Sequence, residues 1–204
     1  MRLILITLVL LGQSLFLQAS EDAKTMVQSG VKELVDTIVK YKTESDVEAR
    51  DKAVKEIFIK YFDAPRMAAT ALGGPSWKGL TKEQKPVYVD VFTDFILSFY
   101  SSKMSEYDNN AISYGSVQKK SSKKVVVHSS VEYNGSNAKV LYSVVKTKKG
   151  WKIYDIEIEG VRMTTSYRGQ LNELKRKGFD AMIDGMKKVM ERNKTLKPEK
   201  VQEK

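Results

Sequence analysis

The stretch that decides the fold is "VEYNGSNAKVLYSVVKTKKGWKIYDIEI", residues 131–158. Apolar residues recur through it at every second position, the period of a half-buried strand rather than of a helix. Asn134-Gly135 is a two-residue hairpin signal, because both residues tolerate the positive φ angles such a turn demands. Lys148-Lys149-Gly150 suits a three-residue loop with glycine in the left-handed position. Through the first turn Val127 faces Tyr142 and Val125 faces Val144. Through the second, Tyr142 faces Ile156, Val140 faces Ile158 and Val144 faces Tyr154. Two independent turns therefore place Val125, Val127, Val131, Val140, Tyr142, Val144, Tyr154, Ile156 and Ile158 on one side of a sheet. A slip of one residue would scatter them. A weaker strand around 112–117 precedes these, so the expectation is a four-stranded antiparallel meander.

The opposite side poses a chemical question. Asp155, Glu157 and Glu159 stand at a spacing of two, which in a strand points three carboxylates the same way. A metal site or an acid/base pair is one reading, and a solvated side is the other. The register sets Asp155 opposite Ser143, Glu157 opposite Leu141 and Glu159 opposite Lys139. The chain has one histidine and no cysteine, so no imidazole or thiolate is at hand to complete a tight ligand set. The carboxylates are read as the solvated side. His128 lies mid-strand beside Val126 and Ser130, two strands from Glu157 and so roughly 10 Å away, and is read as structural. No glycine-rich phosphate loop occurs, and no serine has an evident base. The expectation is a protein that is not an enzyme, with no catalytic residue, no metal and no cofactor.

Outward from this strand region the period changes to that of helices. Towards the N-terminus, Val27, Val31, Leu34, Val35 and Ile38 form one stripe over 22–42. "SDVE" (45–48) has the form of a capping box and opens a second helix that turns Val54, Ile57, Phe58 and Tyr61 inward. Asp63 and Pro65 suit the start of a short third helix and Gly73 its end. "GGPSWKGL" (73–80) reads as a loop. "TKEQ" (81–84) is another capping-box pattern, with regular helix expected from about Pro86. Beyond it Tyr88, Val91, Phe92, Phe95, Ile96, Phe99 and Tyr100 make a wide aromatic stripe. After Gly160 the chain is helical again, with Leu171, Leu174, Phe179, Met182, Ile183, Met186 and Val189 inward and a break at Gly178.

The first twenty residues are of another kind. Arg2 precedes an apolar run from Leu3 to Leu17 that ends in small residues. It is shorter than the roughly 30 Å hydrocarbon core and reads as a secretory signal cut after Ala19 or Ser20. The expected organisation is a signal peptide over 1–19, one α+β domain over 20–192 and a polar flexible tail over 193–204. An exported chain without cysteine is held by its core rather than by disulfides. The formal net charge of +10 suits anionic lipid surfaces or acidic partner proteins, or is simply a lysine-rich solvated surface.

Periodicity alone leaves the apolar sheet side and the aromatic helix stripe open to two readings, a solid core or the walls of a cavity for an apolar ligand. A resemblance bears on the choice. The block "YFDAPRMAATALGGPSWKGLTKEQKPVYVDVFTDFILSFY" (61–100) is similar to the Phe-Asp, Met-Ala, Leu-Gly, Trp and Thr-x-Glu-Gln pattern of the periplasmic phospholipid-binding MlaC proteins, also called toluene-tolerance proteins. "GWKIYDIEIEGVRMTTSYRGQLNEL" (150–174) resembles that family's Trp-x-Val-Tyr-Asp, Glu-Gly-Val and Asn-Tyr-Arg-x-Gln pattern. It departs from the family in one extra residue before Trp77, in Pro86, and in Ser166 where asparagine is common.

The resemblance implies helices wrapping a twisted four-stranded antiparallel sheet, with an apolar cavity between them. It implies a soluble periplasmic phospholipid carrier, not an enzyme, that exchanges cargo with an inner-membrane MCE-domain transporter complex and an outer-membrane lipoprotein complex to maintain outer-membrane lipid asymmetry. The expected lipid-binding residues are Phe92, Phe95, Ile96, Phe99, Tyr100 and Met104 from the helix, and Val127, Val140, Tyr142, Val144, Tyr154, Ile156 and Ile158 from the sheet. Val161, Met163 and Tyr167 stand at the rim, and Arg168 is a candidate head-group contact or a helix-surface salt bridge. The expected partners are phospholipid and the two membrane complexes, with transient membrane-proximal docking of a monomer and no nucleic acid. A second reading, an exported hydrolase or isomerase on a cone-like α+β scaffold, lacks a histidine dyad or metal set to carry it.

Overall fold

The computed structural model describes residues 2–41, 47–104, 111–133 and 135–195, with side chains placed for 20–41, 47–99, 111–132 and 135–193. Its helices are α1 (Arg2–Lys40), α2 (Val47–Tyr61), α3 (Ala64–Leu72), α4 (Gly74–Gly79), α5 (Gln84–Met104), α6 (Met163–Ser166), α7 (Arg168–Lys175) and α8 (Phe179–Thr195). Its strands are β1 (Ile112–Ser121), β2 (Lys124–Tyr133), β3 (Ser136–Thr147), β4 (Gly150–Ile158) and β5 (Val161–Arg162). They form one antiparallel sheet in the order β1-β2-β3-β4-β5. Among the described residues no helix is long and apolar enough to cross a membrane.

Local chemistry explains the helix ends. The Asp63 carboxylate accepts the Arg66 backbone N–H at 3.1 Å, with Pro65 in the first turn, and so starts α3. At α5 the capping box closes reciprocally: the Thr81 N–H donates to the Gln84 side chain at 3.0 Å, and the Gln84 N–H donates to the Thr81 hydroxyl at 3.2 Å. Those bonds set the start of α5 at Gln84, two residues before Pro86. The 73–80 segment is not a plain loop. Pro75 lies in the first turn of α4, where its missing N–H costs nothing. The first helix is longer than its apolar stripe, because no proline interrupts the chain from Arg2 to Lys40. The "SDVE" box lies partly outside the described residues, and α2 begins at Val47.

The sheet departs from the expected meander in two places. Lys148-Lys149 is a two-residue turn, with Thr147 paired to Gly150 at its base. This shifts the start of β4 by one position, so Ile153 rather than Tyr154 faces Val144. A β-bulge at Tyr154 then restores the count, and Ser143 faces Asp155, Tyr142 faces Ile156 and Val140 faces Ile158. The second departure is a fifth strand. Glu159 and Gly160 have φ of 49° and 82°, as a primed two-residue turn requires, and fold Val161 back onto Ile158.

Burial divides the molecule into two apolar clusters. One is helical: Met67, Leu72, Tyr88, Phe92, Phe95, Ile96, Leu171, Met182 and Met186 pack together from α3, α5, α7 and α8. The other is the sheet side expected to be apolar, but α1 covers it: Ala23 and Val27 pack on Val125, Val127, Val140, Tyr142, Val144, Trp151 and Ile153. Phe62 touches both clusters. It sits where the α2–α3 junction pairs with the β4 edge, the Asp63 N–H donating to the Ile153 carbonyl at 2.7 Å.

Candidate functional site

The carboxylates of Asp155, Glu157 and Glu159 do three different jobs, two of them in β4 and the third in the turn that follows it. Asp155 is not solvated: it is 4% exposed. Its carboxylate accepts the Thr164 hydroxyl at 3.0 Å, the Thr164 N–H at 3.2 Å and the Ile156 N–H at 3.0 Å. Three donors satisfy a buried carboxylate without a cation. Glu157 pairs with Arg162 across the β4–β5 hairpin at 3.2 Å. Glu159 is a turn residue, and its side chain and its N–H both engage the backbone of Lys139. Among the described residues no group of three His, Cys, Asp or Glu could hold a metal ion. His128 is half-buried, and its Nε2 has no hydrogen-bond partner among the described residues.

The apolar site residues fall into both clusters. Val127, Val140, Tyr142 and Val144 are buried beneath α1, and Ile156 is half-buried beside them. Ile158 and Val161, paired across the β4–β5 turn, are 42% and 61% exposed and form an open apolar edge to that side of the sheet. On α5, Phe92, Phe95 and Ile96 lie within the helical cluster. Phe95, Phe99 and Tyr167 form a ring cluster, with centroids 5.0 Å apart for Phe95–Phe99, 5.7 Å for Phe95–Tyr167 and 4.6 Å for Phe99–Tyr167. Met163 also packs on the helical cluster. The chain thus passes from the exposed edge at Val161 to the helical cluster within two residues. The side chains of Tyr100 and Met104 lie outside the described ones.

Tyr154 leaves the apolar side. The bulge turns it to the other side of the sheet, where Lys124 lies 5.5 Å and Arg66 6.0 Å from its ring centre. Trp151 and Ile153 take its place on the apolar side. Arg168 forms no salt bridge among the described residues. Its guanidinium donates to the Thr70 carbonyl at 2.7 Å and ties α7 to α3. Sequence reasoning missed Phe62, Trp151, Ile153 and Ala23, and it placed Val27 on an apolar stripe without showing that the stripe covers the sheet. Pairing through a two-residue Lys-Lys turn would have found Ile153; the covering role of α1 has no local signature.

Two buried polar atoms of these layers, the Tyr88 hydroxyl and the Trp151 Nε1, have no hydrogen-bond partner among the described residues. Burial raises the Tyr88 phenol above the usual tyrosine range, which keeps it neutral at any physiological pH. Among the described residues, two open clefts are found at the surface. One, of about 360 Å³, runs between α1 and α2 and is lined by Lys32, Glu33, Asp36 and Tyr61. The other, of about 480 Å³, has Leu72, Leu80, Phe179 and Met182 as its apolar floor and Lys175 and Arg176 at its side.

The architecture defines an α+β protein whose open antiparallel sheet is covered by a long helix and flanked by a helical cluster. The MlaC protein family model matches residues 28–188, and the chain belongs to the MlaC family. Among solved structures it is similar to a phospholipid-binding protein from Ralstonia solanacearum determined in complex with a phospholipid. The TM-score is 0.73 and the identity 24%, covering 85% of this chain and 99% of that one. No curated protein matches the chain.

Proposed function

We propose that this chain is a periplasmic phospholipid carrier, exported by the signal sequence at its N-terminus and performing no catalysis of its own. It takes up phospholipid and exchanges it with an inner-membrane MCE-domain transporter complex and an outer-membrane lipoprotein complex, which maintains the lipid asymmetry of the outer membrane. Family membership supports the reading. The observation in this chain that carries it is the exposed Ile158–Val161 edge. There the apolar side of the sheet opens to solvent beside the route to the helical cluster.

Two acyl chains of about fifteen methylenes each, at about 0.8 kcal/mol per methylene, represent roughly 24 kcal/mol of unfavourable exposure to water. Two apolar layers joined through Phe62 offer a seam along which the tails enter at Ile158 and Val161. They then displace Ala23 and Val27 of α1 from the sheet, lying against Ile156, Tyr142, Val140, Val144 and Val127 there and against Phe92, Phe95, Ile96 and Phe99 in the helical cluster. Met163 and Tyr167 line the entrance, and Arg168, next to Tyr167 in the chain, is the proposed contact for a head-group phosphate. No cofactor is needed for such a cycle. Release follows from docking to partners that favour the empty state, since a ligand shifts an equilibrium only through its differential affinity for the two states.

Transfer of a tail-labelled phospholipid from donor vesicles to the protein tests this reading. Val161→Glu and Ile158→Glu place charge in the entrance on residues already exposed, so the fold survives. Transfer should slow at least tenfold in these variants; transfer at the unaltered rate overturns the reading.

A further inference from the structure

The two hairpin tips at one end of the sheet carry "KKSSKK" (119–124) and "KTKKGWK" (146–152), eight lysines with no carboxylate in either segment. The register sets the tips side by side. Lys124 pairs with Val145, and the Lys146 N–H donates to the Lys123 carbonyl at 2.8 Å. Lys120, Lys123, Lys148 and Lys149 are exposed and make no ion pair among the described residues. Lys124 and Lys152 flank Val145 in adjacent strands, about 10 Å apart. The crowding is electrostatically costly. Burial, and then the charge of Lys149, lower the Lys152 pKa, with Asp63 acting the other way. Asp63 is itself engaged by Arg66 at 3.0 Å.

The chemistry of the patch selects its partner. All eight cations are lysines, compact and strongly hydrated charges without the planar fork by which arginine fixes a shape-specific contact. Among the described residues the exposed large apolar side chains, Ile158 and Val161 among them, lie elsewhere, and Trp151 between the tips is buried. The tips thus offer no aromatic or aliphatic anchor of the kind that dominates stable protein interfaces. A dense cationic end without an anchor matches a surface whose charges are numerous and laterally mobile. We propose that the paired hairpin tips are an electrostatic docking surface for a bilayer rich in anionic phospholipid head groups.

This goes beyond the carrier function and does not require it. The Ile158–Val161 edge is at the other end of β4, eight residues from Gly150 and so roughly 26 Å along the strand. Docking and lipid uptake are therefore separable. The full chain is sedimented with vesicles of pure phosphatidylcholine and with vesicles that also carry phosphatidylglycerol, at low and high salt. The variant K123Q/K124Q/K148Q/K149Q is compared with K52Q/K78Q/K187Q/K188Q, which removes the same charge from exposed helix positions and α4. Each tip lysine is worth about fivefold in binding to an anionic surface. The tip variant should lose at least about a hundredfold of its affinity for the phosphatidylglycerol vesicles. The control should lose far less, and salt should abolish the binding. Equal loss in the two variants, equal binding to neutral vesicles, or no binding to either vesicle overturns the proposal, the last leaving an acidic protein as the partner. A tip variant that still acquires labelled lipid shows that docking, and not loading, was removed.

Discussion

Asp155 holds Thr164 twice, by its backbone N–H at 3.2 Å and by its hydroxyl at 3.0 Å, and both residues are buried, at 4% and 0% exposure. Thr164 lies in α6, the turn of helix that links the β4–β5 hairpin to α7 and the Tyr167 ring. One carboxylate therefore fixes how the helical cluster meets the sheet. Asp155→Ala takes the acceptor from three donors, the Thr164 hydroxyl and the Thr164 and Ile156 N–H groups, and should cost about 2–4 kcal/mol. Thr164→Val removes one of the two bonds and should cost less, about 1–2 kcal/mol. Urea unfolding of the two single variants and the double variant measures this. The double variant should be less destabilised than the sum of the singles.

Gly30 of α1 sits against Tyr61 of α2, and a Cβ built on it would lie 2.8 Å from the Tyr61 Cγ and 3.2 Å from its Cβ. Those atoms are close to the Tyr61 backbone and cannot swing aside, and Glu33 accepts the ring hydroxyl at 2.7 Å. Gly30→Ala would gain up to about 1 kcal/mol in helix propensity. Overpacking of the helix contact outweighs it at about 1–3 kcal/mol. Thermal unfolding should show a net loss of stability, and Tyr61→Ala should relieve part of it.

Glu33 also binds Lys60, at 2.7 Å. The Lys60 and Tyr61 hydrogen bonds hold its carboxyl below the ordinary value of 4.5. A lowered carboxylate pKa contributes stability that is fully present above the unfolded value and disappears as pH falls through the folded one. The α1–α2 contact should therefore weaken only below about pH 4.5. Because the pair is exposed, the effect is small. Glu33→Gln should lower stability slightly at pH 7 and not at all at the acid end, as read from urea midpoints across that range.

The two apolar clusters meet through Phe62, so distant substitutions in them should act independently. Phe95→Leu in the helical cluster and Val144→Ala in the sheet cluster should add to within about 0.5 kcal/mol in the empty protein. With phospholipid bound along the seam, both would contact the same tails, and their effects on the melting temperature should no longer add. Differential scanning calorimetry with and without lipid reads both quantities.

The strand pairing beyond the bulge was legible because turn chemistry and period two are local signals that constrain each other. At Val144 they failed together. A tighter Lys148-Lys149 turn and the extra residue at Tyr154 offset one another, so the register of Tyr142 and Val140 was right while that of Val144 was off by one. Asp155 was misread for a related reason: alternation tells which residues share a side, not what covers it. Thr164, nine residues on, folds back over it. The same limit applies to the apolar side, where α1, some hundred residues away in sequence, supplies Ala23 and Val27. Two-residue β5 is too short to leave any period at all.

Native mass spectrometry of the mature chain, after gentle purification and again after incubation with vesicles, tests the central claim most directly. The account predicts mass increments that match whole diacyl phospholipids, diminished when Ile158 and Val161 are both changed to glutamate. A chain that stays at its bare polypeptide mass under both conditions, while folded, would contradict it.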